Sequence, residues 1–433
     1  MIFKWIEVIF LGVSFWCFFS KCISVAHLSM CLFAVSMMNF EEVMVCSCFF
    51  LDFFSKQMLL LLVWLAMSIM VFVEKGVKVL LMNLLNLVCL FFFCSKSFLV
   101  LFVLFELSIF PILVLILGWG PQPERVEAGT FMFLYTLLCS SPLFMMTAFS
   151  TSLGEGEILW LSVFSDSPFH LFEGYGLSIF FLLGFLAKIP IFITHVWLPK
   201  AHVEATLEGS MILAGILLKL GVFGVFRVFG LFNFLFEKSF ILITSISLLG
   251  GVVGSLLALA SDDMKMVVAY ASVSHMNVLI LSLFTQKVLG KEGSIITCFA
   301  HGLGSSFLFF AVYTVYSSTH SRSMLLNKGV SGIFPILVLI SFSSWVINIS
   351  IPPTFGFWGE LLSILSPISF IPEMALLLGI YFVVSSTYSM FSYGILTHSE
   401  ASVYCKKKAG FLVEIFGAFM LVCPLVILYF SFF

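Results

Sequence analysis

Long apolar runs, separated by short polar segments, make up nearly the whole of this sequence. A helix of about 20 apolar residues is long enough to cross the hydrocarbon core of a bilayer. Counting the runs by that length predicts fourteen membrane-spanning helices. They cover residues 2–20, 22–39, 49–73, 79–95, 97–117, 128–150, 175–198, 206–230, 239–260, 265–285, 293–317, 330–368, 374–395 and 410–432. The pattern therefore predicts an all-α polytopic membrane protein in which residues 1–433 form a single membrane domain.

The seventh and twelfth predicted helices are interrupted by proline. Pro190 lies near the middle of the seventh, and Pro352 and Pro353 lie within the twelfth, which is too long for one straight crossing. Proline removes a backbone donor, and the freed carbonyl is tolerated at membrane depth only where it faces protein or lines a cavity. Two broken helices at corresponding positions are typical of transporters built from inverted repeats. We therefore expect two inverted five-helix repeats, with N-terminal helices in 1–75, the first repeat in 79–230, the second in 239–395 and a C-terminal helix in 396–433.

The composition strengthens the membrane assignment and excludes several classes of function. Hydrophobic residues make up 61% of the chain and charged residues 10%, whereas a soluble domain has roughly 45–50% and 25%. A net charge of −2 gives no basic surface, so no nucleic-acid partner is expected. The eleven cysteines include no CxxC pair, and the sequence has no Gly-rich phosphate loop. We therefore expect no metal or cofactor site in this chain.

The N-terminal apolar run is predicted to be a membrane span. It is too long and too aromatic for a signal peptide, no small-residue cleavage site follows it, and it lacks the character of an organellar transit peptide. The 55 phenylalanines are consistent with an organellar genome rich in T, because phenylalanine codons are rich in T. Both features indicate a protein that is made inside an organelle.

Lysine and arginine are distributed unevenly between the two sides of the predicted membrane domain. Loops after odd-numbered helices hold eleven of these residues, the opposite side holds seven, and Lys188 and Lys219 lie within the bilayer. Basic residues favour the cytoplasmic or matrix side of a membrane. The odd-numbered loops are therefore predicted to face the matrix or cytoplasm.

Glu106, Lys188 and Lys219 are ionisable residues inside apolar runs. A charged side chain at the centre of a spanning helix costs about 2.5–3.5 kcal/mol even on the mildest scale, so such residues are usually paired and functional. Glu106 has no local polar neighbour except Ser108, and Lys188 on another helix is its natural partner. Lys219 has no carboxylate nearby in sequence, and burial favours its neutral form, which would let it load and release a proton. The alternative interpretation of Glu106 and Lys188 is that they form a purely structural ion pair.

His275, His301 and Glu360 extend this series into the second half of the chain. The two histidines lie in consecutive helices beside serines and glycines that leave room for water, although a single helix histidine is often only a packing residue. Glu360 follows the broken segment of the twelfth helix and has no local partner. Titratable groups in a row near mid-membrane, separated by hydrated gaps, are what proton movement requires.

Seven sequence motifs resemble one family of energy-coupling membrane proteins. They are LAKIP, WLPKAHVEA, GSMILAGILLKLG, YASVSHM, AHGLGSSFLF, THSR and IPPTFGFWGE. In order and over roughly residues 95–400, they resemble the antiporter-like membrane subunits of respiratory complex I (NADH:ubiquinone oxidoreductase) and the multisubunit cation/proton antiporters. The resemblance implies that Glu106 and Lys188 are the family's ion pair, Lys219 its central lysine, and His275 and His301 the connecting histidines. Glu360 matches the terminal glutamate of the chain-4 branch, where the chain-5 branch has lysine.

The resemblance also implies a cellular setting and a mechanism. It implies a multi-pass subunit of the mitochondrial inner membrane between chain 2-like and chain 5-like neighbours, with cardiolipin a further candidate partner. NADH, FMN, iron–sulfur clusters and ubiquinone would bind to other subunits, whose redox chemistry would drive the proton relay in this chain. Two departures from the family pattern are Thr206, where proline is common, and Tyr316-Ser317-Ser318, where a Tyr-Glu-Arg sequence is common. A sodium/proton antiporter subunit and a purely structural membrane subunit remain alternatives.

Overall fold

The computed structural model describes residues 43–46, 49–73, 76–152, 177–231, 237–329, 335–398 and 411–431. The first two predicted helices, 2–20 and 22–39, lie outside these residues. A short antiparallel hairpin, β1 (Val43–Cys46) and β2 (Phe49–Leu51), precedes the helices. The helices are α1 (Phe53–Met70), α2 (Val77–Cys94), α3 (Phe98–Leu107), α4 (Ile109–Trp119), α5 (Arg125–Ser152), α6 (Leu177–Lys188), α7 (Trp197–Glu204), α8 (Leu207–Ile212), α9 (Leu218–Leu231), α10 (Glu237–Ala260), α11 (Met264–Phe284), α12 (Val288–Thr319), α13 (Pro335–Asn348), α14 (Phe355–Ile368), α15 (Met374–His398) and α16 (Phe411–Ser431).

The predicted all-α polytopic class is confirmed. Each of the twelve predicted helices that fall on described residues is present, with its ends displaced by a few residues, and nine spans in the described part are long and apolar enough to cross a membrane. The prediction that a helix begins at residue 49 is wrong, because Phe49–Leu51 pairs with β1 and the helix begins after Asp52. The predicted helix 97–117 is two helices that meet at Ser108. The total of fourteen helices and the inverted repeats stay predictions.

The break in the seventh predicted helix separates α6 from α7, and side chains bond its exposed backbone. Pro190 cannot bond back to the carbonyl of Leu186, and the hydroxyl of Thr194 donates to that carbonyl at 3.4 Å. The indole of Trp197 donates to the carbonyl of Ala187 at 3.0 Å. Asn277 of α11 donates to the carbonyl of Pro190 at 2.9 Å. These bonds allow non-helical backbone to exist inside a membrane domain.

The twelfth predicted helix is also broken, into α13 and α14. The connecting segment contains a cis peptide bond between Pro352 and Pro353, and Ser350 adopts a left-handed backbone conformation with a φ of 59°. The side chain of Glu360 therefore starts from the second turn of a new helix, α14, close to the break.

The most buried spans are those that carry Lys219, His275 and His301. In an apolar 18-residue stretch of each span, the share of buried residues is 94% for Leu207–Phe229, 89% for Met264–Phe284 and 94% for Val288–Thr319, against 28% for Met374–Thr397. Leu376, Val383 and Met390 lie on the exposed face of the last span, where lipid would cover them. Lys219, His275 and His301 thus lie at the centre of the helix packing.

The C-terminal helix α16 is joined to α1 by a hydrogen bond at the backbone carbonyl that Pro424 leaves free. Pro424 cannot bond to the carbonyl of Met420, and the indole of Trp64 in α1 donates to that carbonyl at 2.6 Å. Leu425, beside the proline, lines the cavity of the candidate site. The bond between Trp64 and Met420 therefore holds one wall of that cavity in place.

Candidate functional site

Lys219 has no solvent exposure and makes two polar contacts inside the protein. Its Nζ donates to the carbonyl of Ala214 at 2.6 Å and lies 2.8 Å from Nδ1 of His301. The turn before it, Leu213–Leu217, is π-helical, and wide turns of this kind often occur at functional sites. Lys219 is thus held against a histidine of another helix, as a proton-transfer pair requires.

Two glycines bring the helices of Lys219 and His301 close enough for this contact. A Cβ on Gly215 would lie 3.3 Å from the carbonyl of Gly302, and a Cβ on Gly302 would lie 3.1 Å from the carbonyl of Gly215. Towards α1, the same added atoms would each lie 2.4 Å from a leucine, Leu65 and Leu61 respectively. Because neither glycine has a side chain, α1 packs directly against the π turn and α12. The hydroxyl of Ser306 then donates across the contact to the carbonyl of Met211 at 3.0 Å.

His301 faces His275, and His275 contacts Glu360. The two imidazole ring centres are 5.8 Å apart, and Nδ1 of His275 lies 3.0 Å from Oε1 of Glu360. Lys219, His301, His275 and Glu360 therefore follow one another in space. The order of the two histidines is the reverse of their order in the sequence.

A cavity of about 40 Å³ lies among His275, His301 and Glu360. A single water occupies roughly 10–15 Å³ by this measure, so the cavity can hold more than one. Polar groups on its wall include Thr297, Ser305, Asn348, Ser350, Ser363 and Tyr381. Water in this cavity can bridge the two histidines, which make no direct hydrogen bond to each other in the structure.

Two tyrosines of α15 complete the surroundings of His275. The hydroxyl of Tyr381 lies 2.9 Å from Nδ1, the same nitrogen that contacts Glu360, and the hydroxyl of Tyr388 lies 3.5 Å from Nε2. A ring nitrogen either donates a proton or accepts one. Nδ1 with a proton donates to Glu360, and Nδ1 without a proton accepts from Tyr381. Tyr381 therefore holds the imidazole in place after its proton has left.

The sequence analysis did not identify these tyrosines, although a signal was present. Tyr381 and Tyr388 are seven residues apart and so lie on one face of a helix. Two tyrosines on one face of an apolar span carry hydroxyl groups that need polar partners.

Glu106 and Lys188 lie near each other without a direct ion pair. Lys188 Nζ donates to the carbonyl of Phe105 and, at 3.0 Å, to the hydroxyl of Ser108, and it lies 3.4 Å from the centre of the Phe105 ring. No oxygen of Glu106 comes within 4.0 Å of this amine, and its Oε1 is buried without a hydrogen-bond partner among the described residues. Ser108, predicted as the one local partner for Glu106, donates to Phe105 and accepts from Lys188.

An apolar wall beside Lys188 consists of Ile109, Ile112, Met132 and Leu217, which line a cavity of about 20 Å³ together with Lys188, Thr136 and Trp197. Leu217 lies two residues before Lys219. Because the four apolar side chains offer no hydrogen-bond partner to water, we expect no continuous water path from Lys188 to Lys219. Of the six predicted site residues, four therefore form one connected group, and the other two lie across the wall as a second group.

The chain is similar to proteins of known identity along most of its length. The family described as NADH:quinone oxidoreductase/Mrp antiporter, transmembrane, matches residues 95–389. The protein named NADH-ubiquinone oxidoreductase chain 4 of Rhipicephalus sanguineus is 36% identical over 389 residues, which are 87% of this chain and 87% of the relative. The protein of that name from Albinaria caerulea is 38% identical over 328 residues, which are 74% of this chain and 73% of the relative.

Solved structures share the fold. A chain of respiratory complex I from Thermus thermophilus with bound NADH superposes with a TM-score of 0.83 at 24% identity, over 93% of this chain and 88% of that one. A chain of an archaeal membrane-bound sulfane sulfur reductase gives 0.81 at 16% identity, over 98% and 94%. The chain therefore belongs to the NADH:quinone oxidoreductase/Mrp antiporter family, in the branch whose curated members are named NADH-ubiquinone oxidoreductase chain 4.

Proposed function

We propose that this chain is a proton-translocating, non-redox subunit in the membrane arm of mitochondrial respiratory complex I. The observation that carries the proposal is the connected group from Lys219 through His301 and His275 to Glu360, whose first three members lie in the most buried spans. The names of the relatives support the assignment to complex I. NADH, FMN, iron–sulfur clusters and ubiquinone are bound elsewhere in the complex, and chain 2-like and chain 5-like subunits of the inner membrane, with cardiolipin, are its neighbours.

The proton path follows the contacts of the connected group. The ammonium of Lys219 gives a proton to Nδ1 of His301, which is 2.8 Å away, and becomes a neutral amine. Water in the cavity carries a proton from His301 to His275. His275 passes a proton from Nδ1 to Glu360, and the tyrosine hydroxyl then bonds to the bare nitrogen. Glu360 releases its proton toward the next subunit or the opposite side of the membrane.

Replacing His301 by phenylalanine tests this path directly. A phenyl ring fills the same space without a nitrogen, so we expect proton translocation per electron to fall by about tenfold or more. The measurement is NADH-driven proton movement by the assembled complex in liposomes. Phe307→Leu, on the same helix and stacked on Phe310 rather than on a relay residue, serves as a packing control. Wild-type pumping by the His301 variant would contradict the path.

Glu106 and Lys188 act in this proposal through their charge. They lie behind the apolar wall, so moving a charge between them changes the field at Lys219 without a proton crossing. Redox chemistry elsewhere in the complex would trigger that movement.

Glu106→Gln removes the charge and keeps the shape, so we expect slower NADH oxidation and pumping in a complex that still assembles. The quantity of assembled complex and its turnover are measured together. Loss of assembly with unchanged turnover of the remaining complex would instead indicate a structural role for Glu106.

A sodium/proton antiporter subunit would use the same buried residues. The two functions differ in the ion required and in the associated enzyme. We expect the chain to co-purify with NADH dehydrogenase activity and to pump in sodium-free medium. A strict sodium requirement would favour the antiporter.

A further inference from the structure

His202 is a buried histidine with no part in the path described above. Its side chain has no solvent exposure, and its ring lies parallel to that of Phe309 with the two centres 4.5 Å apart. Neither ring nitrogen has a hydrogen-bond partner among the described residues. A buried polar group without a partner costs about 1–3 kcal/mol. A packing role alone would favour an apolar residue at this position, so the two nitrogens need another explanation.

A ring of charged residues surrounds the backbone beside His202. Lys265 Nζ donates to the carbonyls of Val203, at 3.2 Å, and Ala205, at 2.9 Å. Arg322 lies 3.8 Å from Glu204, and its carbonyl accepts from the backbone of Met264. The charged ring consists of Glu204, Asp263, Lys265 and Arg322.

The charged ring lies at one face of the membrane domain. Glu204 lies in the loop after the seventh predicted helix, Asp263 and Lys265 lie where the ninth meets the tenth, and Arg322 lies in the loop after the eleventh. Each of these loops follows an odd-numbered helix. The distribution of lysine and arginine predicts that such loops face the matrix. Burial raises the pKa of Glu204 and of Asp263, so both carboxyl groups can hold a proton more readily than an exposed acid.

His202 lies between this ring and Lys219. Its stacking partner, Phe309, is on the same helix as His301 and eight residues further along, or about 12 Å. Burial is the largest cause of a lowered pKa of His202, and with the charges of Lys265 and Lys219 it brings that pKa to about 3. The imidazole of His202 therefore lies within the electric fields of two cations, Lys265 of the charged ring and Lys219 of the relay.

We propose that His202 is the proton-intake residue, which carries protons from the charged ring to the amine of Lys219. The assignment rests on the proposed function, because it supplies the relay that starts at Lys219. In each step an N–H bond forms at one nitrogen of the imidazole, with a proton from Glu204 or from water on the side of the charged ring. The N–H bond at the other nitrogen breaks, and its proton passes to the neutral amine of Lys219, directly or through water.

The charge of Lys219 gives this intake a direction. A protonated Lys219 repels a proton on His202, whereas a neutral Lys219 does not. Proton uptake by His202 is therefore disfavoured while Lys219 is protonated. It becomes favourable after Lys219 has given its proton to His301.

Two substitutions at His202 test the proposal in the assembled complex in liposomes. His202→Phe keeps the stacking on Phe309 without a nitrogen, and we expect NADH-driven proton translocation to fall by about tenfold. His202→Ala leaves a space in which added imidazole can carry the proton, and we expect imidazole to restore most of the rate. A structural role for His202 would not produce rescue by imidazole.

His195→Phe is the matched control, because His195 stacks on Phe192 at the same interplanar angle of 12° but lies in the break after α6. We expect it to pump at the wild-type rate. Wild-type pumping by His202→Phe, or an impaired His202→Ala that imidazole does not restore, would overturn the intake assignment. Lys219→Ala separates the two proposals: if it pumps normally the relay itself fails, and if it is inactive while His202→Phe is normal, only the intake role fails.

Discussion

Replacing Lys219 by alanine is expected to abolish proton translocation almost completely in a complex that still assembles. Among the described residues, Lys219 is the one titratable group that hydrogen-bonds to a side-chain nitrogen of His301, so its loss removes the first proton carrier of the relay. Removing a positioned proton-transfer group lowers rates by about 10²–10⁴. The measurement is NADH-driven acidification by liposomes that contain the purified complex, together with the amount of complex assembled.

Lys219→Arg shows whether titration or charge is needed. Arginine keeps the positive charge but cannot be deprotonated in proteins. We therefore expect this variant to be as inactive as Lys219→Ala. Lys200→Ala is the control, since Lys200 is 44% exposed and its 3.6 Å contact with Glu127 is a surface ion pair of little energetic value. Normal pumping by the arginine variant would show that only the charge matters.

The second large effect is expected on stability, from Asp52→Ala. Asp52 Oδ1 accepts from the guanidinium of Arg227 at 2.7 Å, with side-chain exposures of 11% and 3%. Breaking a buried ion pair by removing one partner costs about 3–5 kcal/mol. With an unfolding entropy of about 2.1 cal/mol/K per residue, about 1 kcal/mol shifts the melting temperature of a 433-residue chain by roughly 1 °C, so we expect a fall of roughly 3–5 °C. The melting temperature is measured as the temperature at which the chain is released from the purified complex on heating.

Asp52→Leu combined with Arg227→Met removes both charges of this pair. Apolar replacement of a whole buried pair is often neutral or stabilising. We therefore expect the double variant to recover most of the loss. Glu127→Ala, in the exposed pair with Lys200, should shift the melting temperature by little. An Asp52→Ala protein that melts with the wild type would show that the pair does not hold α1 to α9.

The sequence predicted the spans and the candidate residues because one rule applies to both. Apolar runs of bilayer length identify helices, and an ionisable residue inside such a run must have a reason to be there. Lys219, His301 and Glu360 could be selected on that rule alone. Their contacts could not be predicted, because they depend on how each helix is rotated and on close approaches such as that of Gly215 to Leu65.

Three features could not be predicted from the sequence, namely the roles of His202 and Tyr381 and the strand β2, each for a different physical reason. His202 lies between two predicted spans, in a segment that reads as a loop, so the rule for intramembrane residues did not apply to it. Tyr381 is apolar enough to pass as part of a lipid-facing helix, and only its contact with His275 identifies its role. β2 continues the apolar run of α1, and a short apolar strand cannot be told from a helix by periodicity. Glu106 and Lys188 make no direct ion pair in the structure, and their role as a functional pair stays a prediction.

In the proposed mechanism, the apolar wall around Leu217 would act as a barrier to protons between Lys188 and Lys219. Water there would let protons flow straight from one lysine to the other, a short circuit that would release the energy of electron transfer as heat. A dry barrier stops that leak, yet its low dielectric constant lets the field of one charge reach the other with less weakening than water would cause. In the proposed mechanism, the electric field of a charge at Lys188 therefore reaches Lys219, whereas protons do not pass between the two lysines.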